Sequence, residues 1–317
     1  MLQLAVLSLL VASATFLLAS LSPGDFFSAQ ELDPSVRRQT IDQMRQHYGL
    51  DQPLAVQYFR WLSRCARLDL GDSLFYRRPV RGVVLDALAN TLWIGIPALA
   101  IGLLGGIFLG ALHASCRTSA TGIGLDLLST AALAVPTLVL GLVALLVAAR
   151  TSWFPLGGMN SLDSQDARFF FWLADRIHHL VLPVACLSLP ILAYVERIQC
   201  EATQDLLEEP YLRAARARGL ARRRIFCRYL VRPALNPILS TSGPLLGAVL
   251  SGSLVLEVIF SWPGLGQVTY DALFSRDNLL VIGCVVGSTV LLVLGNLAAD
   301  LLVLLLDPRT RVRRGTV

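Results

Sequence analysis

Lysine is absent from this 317-residue chain; all 27 basic residues are arginines. A Walker A phosphate loop is therefore excluded, because its lysine must reach the β- and γ-phosphates. Schiff-base and Ser-Lys mechanisms fall with it. Charge of either sign is scarce: 15% of residues are charged, against about 25% in soluble domains. The six cysteines, Cys65, Cys116, Cys186, Cys200, Cys227 and Cys284, form no C-x-x-C pair, so their spacing indicates neither a disulfide framework nor a metal site, and all six read as structural. His178 and His179 are adjacent and cannot share one helix face, which argues against a metal site made by both. No metal ligand set is expected.

What is abundant is apolar. The chain is 55% hydrophobic, with a mean hydropathy of +0.62, which marks an integral membrane protein. Six segments are long and apolar enough to read as spans, at about 20 residues each. They cover residues 2–22, 88–112, 127–149, 177–195, 238–260 and 279–306. The first lacks the positive flank of a signal peptide and exceeds its usual apolar length of ~7–15 residues, so it reads as an uncleaved helix. The fourth is the shortest and holds Pro183 and Pro190; Pro244 lies in the fifth. Prolines inside spans are tolerated where neighbouring helices or water satisfy the freed carbonyls.

Arginine placement sets the orientation. An even number of spans puts both termini on one side, and the arginine-rich tail "DPRTRVRRGTV" makes that side cytoplasmic. The loops at 113–124 and 196–233 are then cytoplasmic as well. The expected fold is thus all-α with six transmembrane helices. It divides into helix 1 (1–23), an extracytoplasmic helical segment (24–85) and a five-helix core (86–317). Within the external segment, Asp33-Pro34 resembles a helix start, with Val36, Ile41, Met44 and Tyr48 on one face. A second run puts Leu54, Tyr58, Trp61, Leu62 and Cys65 on one side.

The loop at 196–233 holds the most informative stretch, "EEPYLRAARARGLARRRIFCRYLVRPALNPI" (208–238), with eight arginines from Arg213 to Arg232. Pro210 suits a first helical position, Glu208 and Glu209 sit at the positive end of the helix dipole, and Gly219 suits a left-handed stop. The short helix so defined leaves Ala214, Ala215 and Ala217 thinly covered among Arg213, Arg216 and Arg218, open to close approach by another surface. A second, interfacial helix is expected from Ala221 to Arg232, with Ile225, Tyr229 and Leu230 along the membrane and Arg222, Arg223, Arg224 and Arg228 toward phosphates or water. A nucleic-acid partner is disfavoured by a net charge of only +5 and the lack of an aromatic platform.

"EEPYLRAARARGL" resembles the cytoplasmic EAA loop of binding-protein-dependent ABC importer permeases, in the dipeptide/oligopeptide/nickel branch. Arg213-Ala214-Ala215 and Gly219 occupy the loop's E-A-A and glycine positions, with arginine in place of glutamate as in that branch's own variant. "SPGD" (22–25), "YGLDQPLAVQYFRWL" (48–62), "LDLGDS" (68–73), "HLVLP" (179–183), "VIFSWPGLG" (258–266) and "LLLDPR" (304–309) resemble the family's other signatures in order, so the likeness covers nearly the whole chain.

The resemblance implies a multi-pass permease of the bacterial inner membrane with both termini cytoplasmic. It would pair with a second homologous permease, two cytoplasmic ATPase subunits and an external solute-binding protein, with membrane lipid around it. ATP and magnesium would belong to the partners, and this chain would carry no cofactor and no catalytic residue. Residues Glu209, Pro210, Tyr211, Leu212, Arg213, Ala214, Ala215, Arg216, Ala217, Arg218 and Gly219 would couple to the ATPase. The cargo would be peptides or a related solute; nickel or other metal chelates and opines fit the same branch.

Further residues carry weaker signals. Gly102, Gly106 and Gly110, together with Ala98, recur every four residues and read as a helix-packing face, as do Gly243, Gly247 and Ser251. Trp262, Pro263 and Gly264 read as a tight interfacial turn, or as a docking point for the binding protein. Glu257, Asn296 and Asp300 are candidate buried polar groups within spans. An intramembrane serine protease is the main enzymatic competitor, but no general base lies near the serines of 240–253. A secondary transporter would show internal repeats and mid-membrane charges, and neither is clear.

Overall fold

A computed structural model of the chain describes residues 2–21, 26, 43, 46, 51–65, 67, 69–161, 169–207 and 209–306. The helical run expected over 36–48, the motif at 22–25, Glu208 and the tail from 307 onward lie outside the described residues. Within them every regular element is a helix, accompanied by an isolated antiparallel bridge between Asp72 and Pro79.

Among the described residues three helices are long and apolar enough to cross a membrane, within Val80–Cys116, Phe169–Leu207 and Asn278–Leu301; two bent pairs bring the total to five if each pair is one span. The expected spans differ from these in instructive ways. Segment 127–149 is not one rod: α4 (Ala120–Ala134) and α5 (Thr137–Thr151) meet at 99°. Pro136 is the cause. It lacks an N–H and drives Val135 into extended backbone (φ −87°, ψ 120°), which ends α4 one residue earlier. Segment 177–195, expected to be the shortest, belongs instead to the longest helix, α6 (Phe169–Leu207, 39 residues). The apolar run ends at Glu196, but the helix continues because Glu196, Gln199, Cys200 and Thr203 are buried against other helices. At ~1.5 Å per residue α6 is roughly 58 Å long, so it extends well past a hydrocarbon core of ~30 Å.

The chain forms two compact units, Met1–Thr91 with Pro263–Val293 and Leu92–Trp262 with Leu294–Val317. In the first, α1 (Leu2–Leu21) carries Phe16, whose ring stacks on Trp61 (centroids 5.6 Å apart, planes at 29°) and meets Tyr58 edge-on at 5.4 Å. Trp61 and Tyr58 lie on α2 (Leu54–Cys65), where Leu62 and Cys65 join the same cluster. Leu54, expected on that face, is exposed instead, at the first position of the helix. Asp277 ties this unit together. It is buried and accepts hydrogen bonds from Ser73 Oγ (2.7 Å), the Phe75 amide (3.1 Å) and the Leu280 amide (3.2 Å). The last of these caps α13 (Asn278–Leu306). Nearby, Tyr76 donates to Asp271 at 2.8 Å; burial, then that carboxylate, pushes its phenol pKa above the usual value.

In the second unit α6 is the central strut. It packs against α4, α5, α10 (Asn236–Ser240) and α11 (Ser242–Ile259), and against α3 (Val80–Cys116) through glycines. A Cβ on Gly102 would stand 2.5 Å from Ile191 Cγ2, one on Gly106 2.7 Å from Val195 Cβ, and one on Gly110 would collide with the Glu196 carbonyl oxygen. These glycines let the two backbones come close. The core beneath is apolar, with Ile94, Leu187, Leu256 and Trp262 wholly buried. Outward, large apolar side chains such as Leu104, Phe108, Leu127, Leu142 and Leu146 are exposed while Glu196 and Gln199 are buried. That inversion of the soluble pattern fits lipid as the surrounding solvent.

Enlarging Gly110 must push α3 off α6. Gly110→Val is expected to lower the thermal midpoint of the detergent-solubilised protein, by the equivalent of about 1–3 kcal/mol for an overpacked contact. Gly124→Ala, where an added methyl meets nothing within 4 Å, should leave it unchanged.

Candidate functional site

The arginine-rich loop folds into a short helix on a built seat. Glu209 holds extended backbone (φ −64°, ψ 137°), Pro210 opens the helix, and α7 runs Pro210–Ala217. Arg218 caps it and Gly219 reverses the chain at φ +71°, a conformation that costs glycine little. Eight residues at ~1.5 Å give a peg of roughly 12 Å.

Its two faces differ. Leu212 and Ala215 point inward, 0% and 4% exposed, onto Ile225 and Leu230, with Leu206, Leu207, Leu220, Phe226 and Tyr229 around them. Tyr211 Oη donates to the Tyr229 carbonyl at 3.0 Å, fixing the start of α7 to the segment beneath. Arg213, Ala214, Arg216, Ala217 and Arg218 are exposed. The three alanines expected to share an open face are therefore split, because Ala215 sits one turn from the buried position rather than beside its neighbours: Ala214 and Ala217 look out and Ala215 is part of the seat.

The seat corrects a second expectation. After α8 (Arg222–Arg224) the chain winds as a π-helix over Ile225–Val231, then continues through α9 (Arg232–Ala234). In an α-helix, residues five apart diverge by ~140°; π winding closes bonds from i to i+5 and stacks them. Ile225 and Leu230 are five apart, so both face Leu212 and Ala215 rather than lying along a membrane surface. Arg223, Arg224, Arg228 and Arg232 are exposed. Arginine thus dominates the outside of the whole loop while its apolar residues hold the peg.

Other anticipated residues fall in several places. Gly102, Gly106 and Gly110 face α6, and Gly243 lies 3.4 Å, from its would-be Cβ, to Asn296 Oδ1. Gly247 has nothing among the described residues within 4 Å of such a Cβ, so no described helix makes a close approach there. Trp262 does not sit at a surface for docking: its indole is 0% exposed within the apolar core, and Gly264 is buried too, leaving Pro263 exposed in that turn. The turn is held by its own unit, since Asn90 Nδ2 donates to the Pro263 carbonyl (2.8 Å) and the Leu265 amide, at the start of α12 (Leu265–Phe274), to Thr91 Oγ1 (2.8 Å). Glu257 is fully buried and Asn296 half-buried. Asp300 is exposed rather than buried, because no described element covers its face of α13.

A polar cluster escaped the sequence reading. Glu196, 1% exposed, accepts from Ser129 Oγ at 2.6 Å and meets His113 Nδ1 at 2.6 Å. These come from α6, α4 and α3. The available signal was Glu196 with Cys200 four residues on, one face of a single helix; no local pattern names their distant partner His113.

With this geometry in view, the comparisons are decisive. Residues 87–312 match the family described as binding-protein-dependent transport system inner membrane component. The chain is 34% identical over 297 residues to the oligopeptide transport system permease protein AppB of Bacillus subtilis, covering 93% of this chain and 92% of that protein. It is 32% identical over 308 residues to a putative peptide transport system permease protein of Brucella abortus (96% and 94%), and 30% over 303 residues to a putative peptide permease protein of Brucella ovis (94% and 92%). The chain belongs to the inner-membrane permease family of binding-protein-dependent ABC importers. It is a multi-pass membrane transport subunit, a class that works with ATPase and solute-binding partners.

The seat makes α7 sensitive to its inward contacts. Leu212→Ala should cost about 2–5 kcal/mol locally, as buried leucine truncations do. Amide exchange over 210–219 should then quicken while exchange in α3 and α6 stays as in the unaltered protein, measured by mass spectrometry.

Proposed function

We propose that this chain is one of two homologous permease subunits whose helices together form a path for peptides, and that α7 is the element through which ATPase subunits drive it. Peptide cargo is favoured over nickel chelates or opines because relatives that match more than nine-tenths of the chain are named as oligopeptide or peptide permeases. Six spans with both termini cytoplasmic, as the arginine distribution requires, put α7 on the ATPase side. ATP and magnesium bind to those partner subunits; a chain without lysine supplies no Walker loop. An external binding protein hands cargo to the opposite face.

One observation carries the coupling role: an eight-residue helix anchored by Leu212, Ala215 and Tyr211 presents small and arginine side chains outward. A peg of that kind enters a cleft without bulky obstruction, its arginines pair with carboxylates there, and its anchored base moves with the helices it joins. ATP-driven closure of the two ATPases then biases the permease between inward-open and outward-open states.

Arg216→Glu reverses charge on the exposed face, and Gly219→Pro cannot adopt the positive φ at the helix end. Both variants should insert normally, yet lose ATPase co-purification or ATP-dependent uptake by about tenfold, ~1.4 kcal/mol of interface. Unchanged uptake in both would remove α7 from the coupling pathway. Cargo is tested separately with the full complex in proteoliposomes: labelled oligopeptide should accumulate with ATP, and a nickel chelate should not.

A further inference from the structure

We propose that His113, Glu196 and Cys200 form a buried binding site for a divalent transition-metal ion, best matched by zinc. The three offer one ligand atom each, all within 4.8 Å of one another, and the residues are 5%, 1% and 4% exposed. Glu196 and Cys200 lie one turn apart on α6, and the close approach at Gly110 brings the last turn of α3, with His113, against them.

The donor chemistry is selective. Thiolate, imidazole and carboxylate together suit zinc or cobalt, whereas magnesium and calcium take oxygen ligands. Ligand bonds of ~2.0–2.3 Å at tetrahedral angles place donors roughly 3.3–3.8 Å apart. The present spacing thus needs a contraction of about 1 Å at its widest, within reach of side-chain rotation. Charge balance also favours the ion. A dication with one carboxylate, one thiolate and neutral imidazole is a neutral unit, far cheaper to bury than an isolated carboxylate.

One further contact fits a metal site. Ser129 Oγ holds Glu196 Oε2 at 2.6 Å, the outer hydrogen bond that orients a ligating carboxylate. The His113 ring meets Glu196 through Nδ1, while its buried Nε2 has no partner among the described residues. Nδ1 is thus the nitrogen that faces the carboxylate and would meet an ion entering between them. On binding, the Cys200 thiol releases its proton to solvent and the ring proton resides on the nitrogen facing away from the ion. No electrons are transferred. The ion pins α3 to α6, with α4 attached through Ser129, away from the exposed face of α7.

The test uses the purified full-length chain in its transporter complex, stripped with EDTA and reloaded with zinc or cobalt alone. Zinc should bind one-to-one with the chain after dialysis. Cobalt, with a water as the fourth ligand beside the three protein atoms, should give the visible bands of a tetrahedral ion plus a thiolate-to-cobalt charge-transfer band in the near-ultraviolet. Cys200→Ser should abolish that charge-transfer band and weaken zinc at least about tenfold, whereas Cys116→Ser should preserve both. Absence of the band in the unaltered protein, or its survival in Cys200→Ser, overturns the assignment.

Discussion

The close crossing of α3 over α6 is the constraint on which the second unit is built. Backbones meet where Gly102, Gly106 and Gly110 offer no side chain, opposite Ile191, Val195 and Glu196. In lipid there is little hydrophobic force to draw helices together, so packing and polar contacts must do it. The glycine row supplies the packing. Beside Gly110 it also brings His113 to Glu196, giving a partner to a buried carboxylate that would otherwise be severely penalised.

From that crossing α6 continues past the apolar stretch that defines it in a hydropathy profile. The extra turns are held by buried Gln199, Cys200 and Thr203, and they end directly at α7. The long strut leads into the short seated peg through shared packing: Leu206 and Leu207 of the strut belong to the same apolar cluster as Leu212 and Ala215 of the peg. The π winding that aligns Ile225 with Leu230 completes this cluster, at the expense of regular α geometry in a loop that faces outward through arginine.

The first unit follows a partly different logic. It too has close glycine contacts, Gly283 and Gly287 against Val80 and Val84, but adds aromatic and capping contacts: Phe16 on Trp61, and Asp277 gathering Ser73, Phe75 and Leu280. Ser73 and Asp277 are 204 positions apart in the chain, and each looks unremarkable in its own neighbourhood. Trp262 shows the same lesson from the other side. Beside proline and glycine it has the look of an interfacial residue, but it is a core residue, packed within the apolar cluster of the second unit.

The transport class rested on the resemblance of the ordered motifs; composition and periodicity were enough to mark a membrane-embedded helical protein, to locate α7 between Pro210 and Gly219, and to exclude a Walker loop from this chain. Those properties rest on local chemistry: apolar run length, the fixed φ of proline, the freedom of glycine and the absence of lysine. Folding alone decided which alanine of the peg turns inward, that Asp300 is exposed while Glu196 is buried, and that His113 meets a carboxylate 83 positions away. Each of these depends on which surfaces meet across the fold, and the free energy of burying a side chain is a property of its neighbours in space.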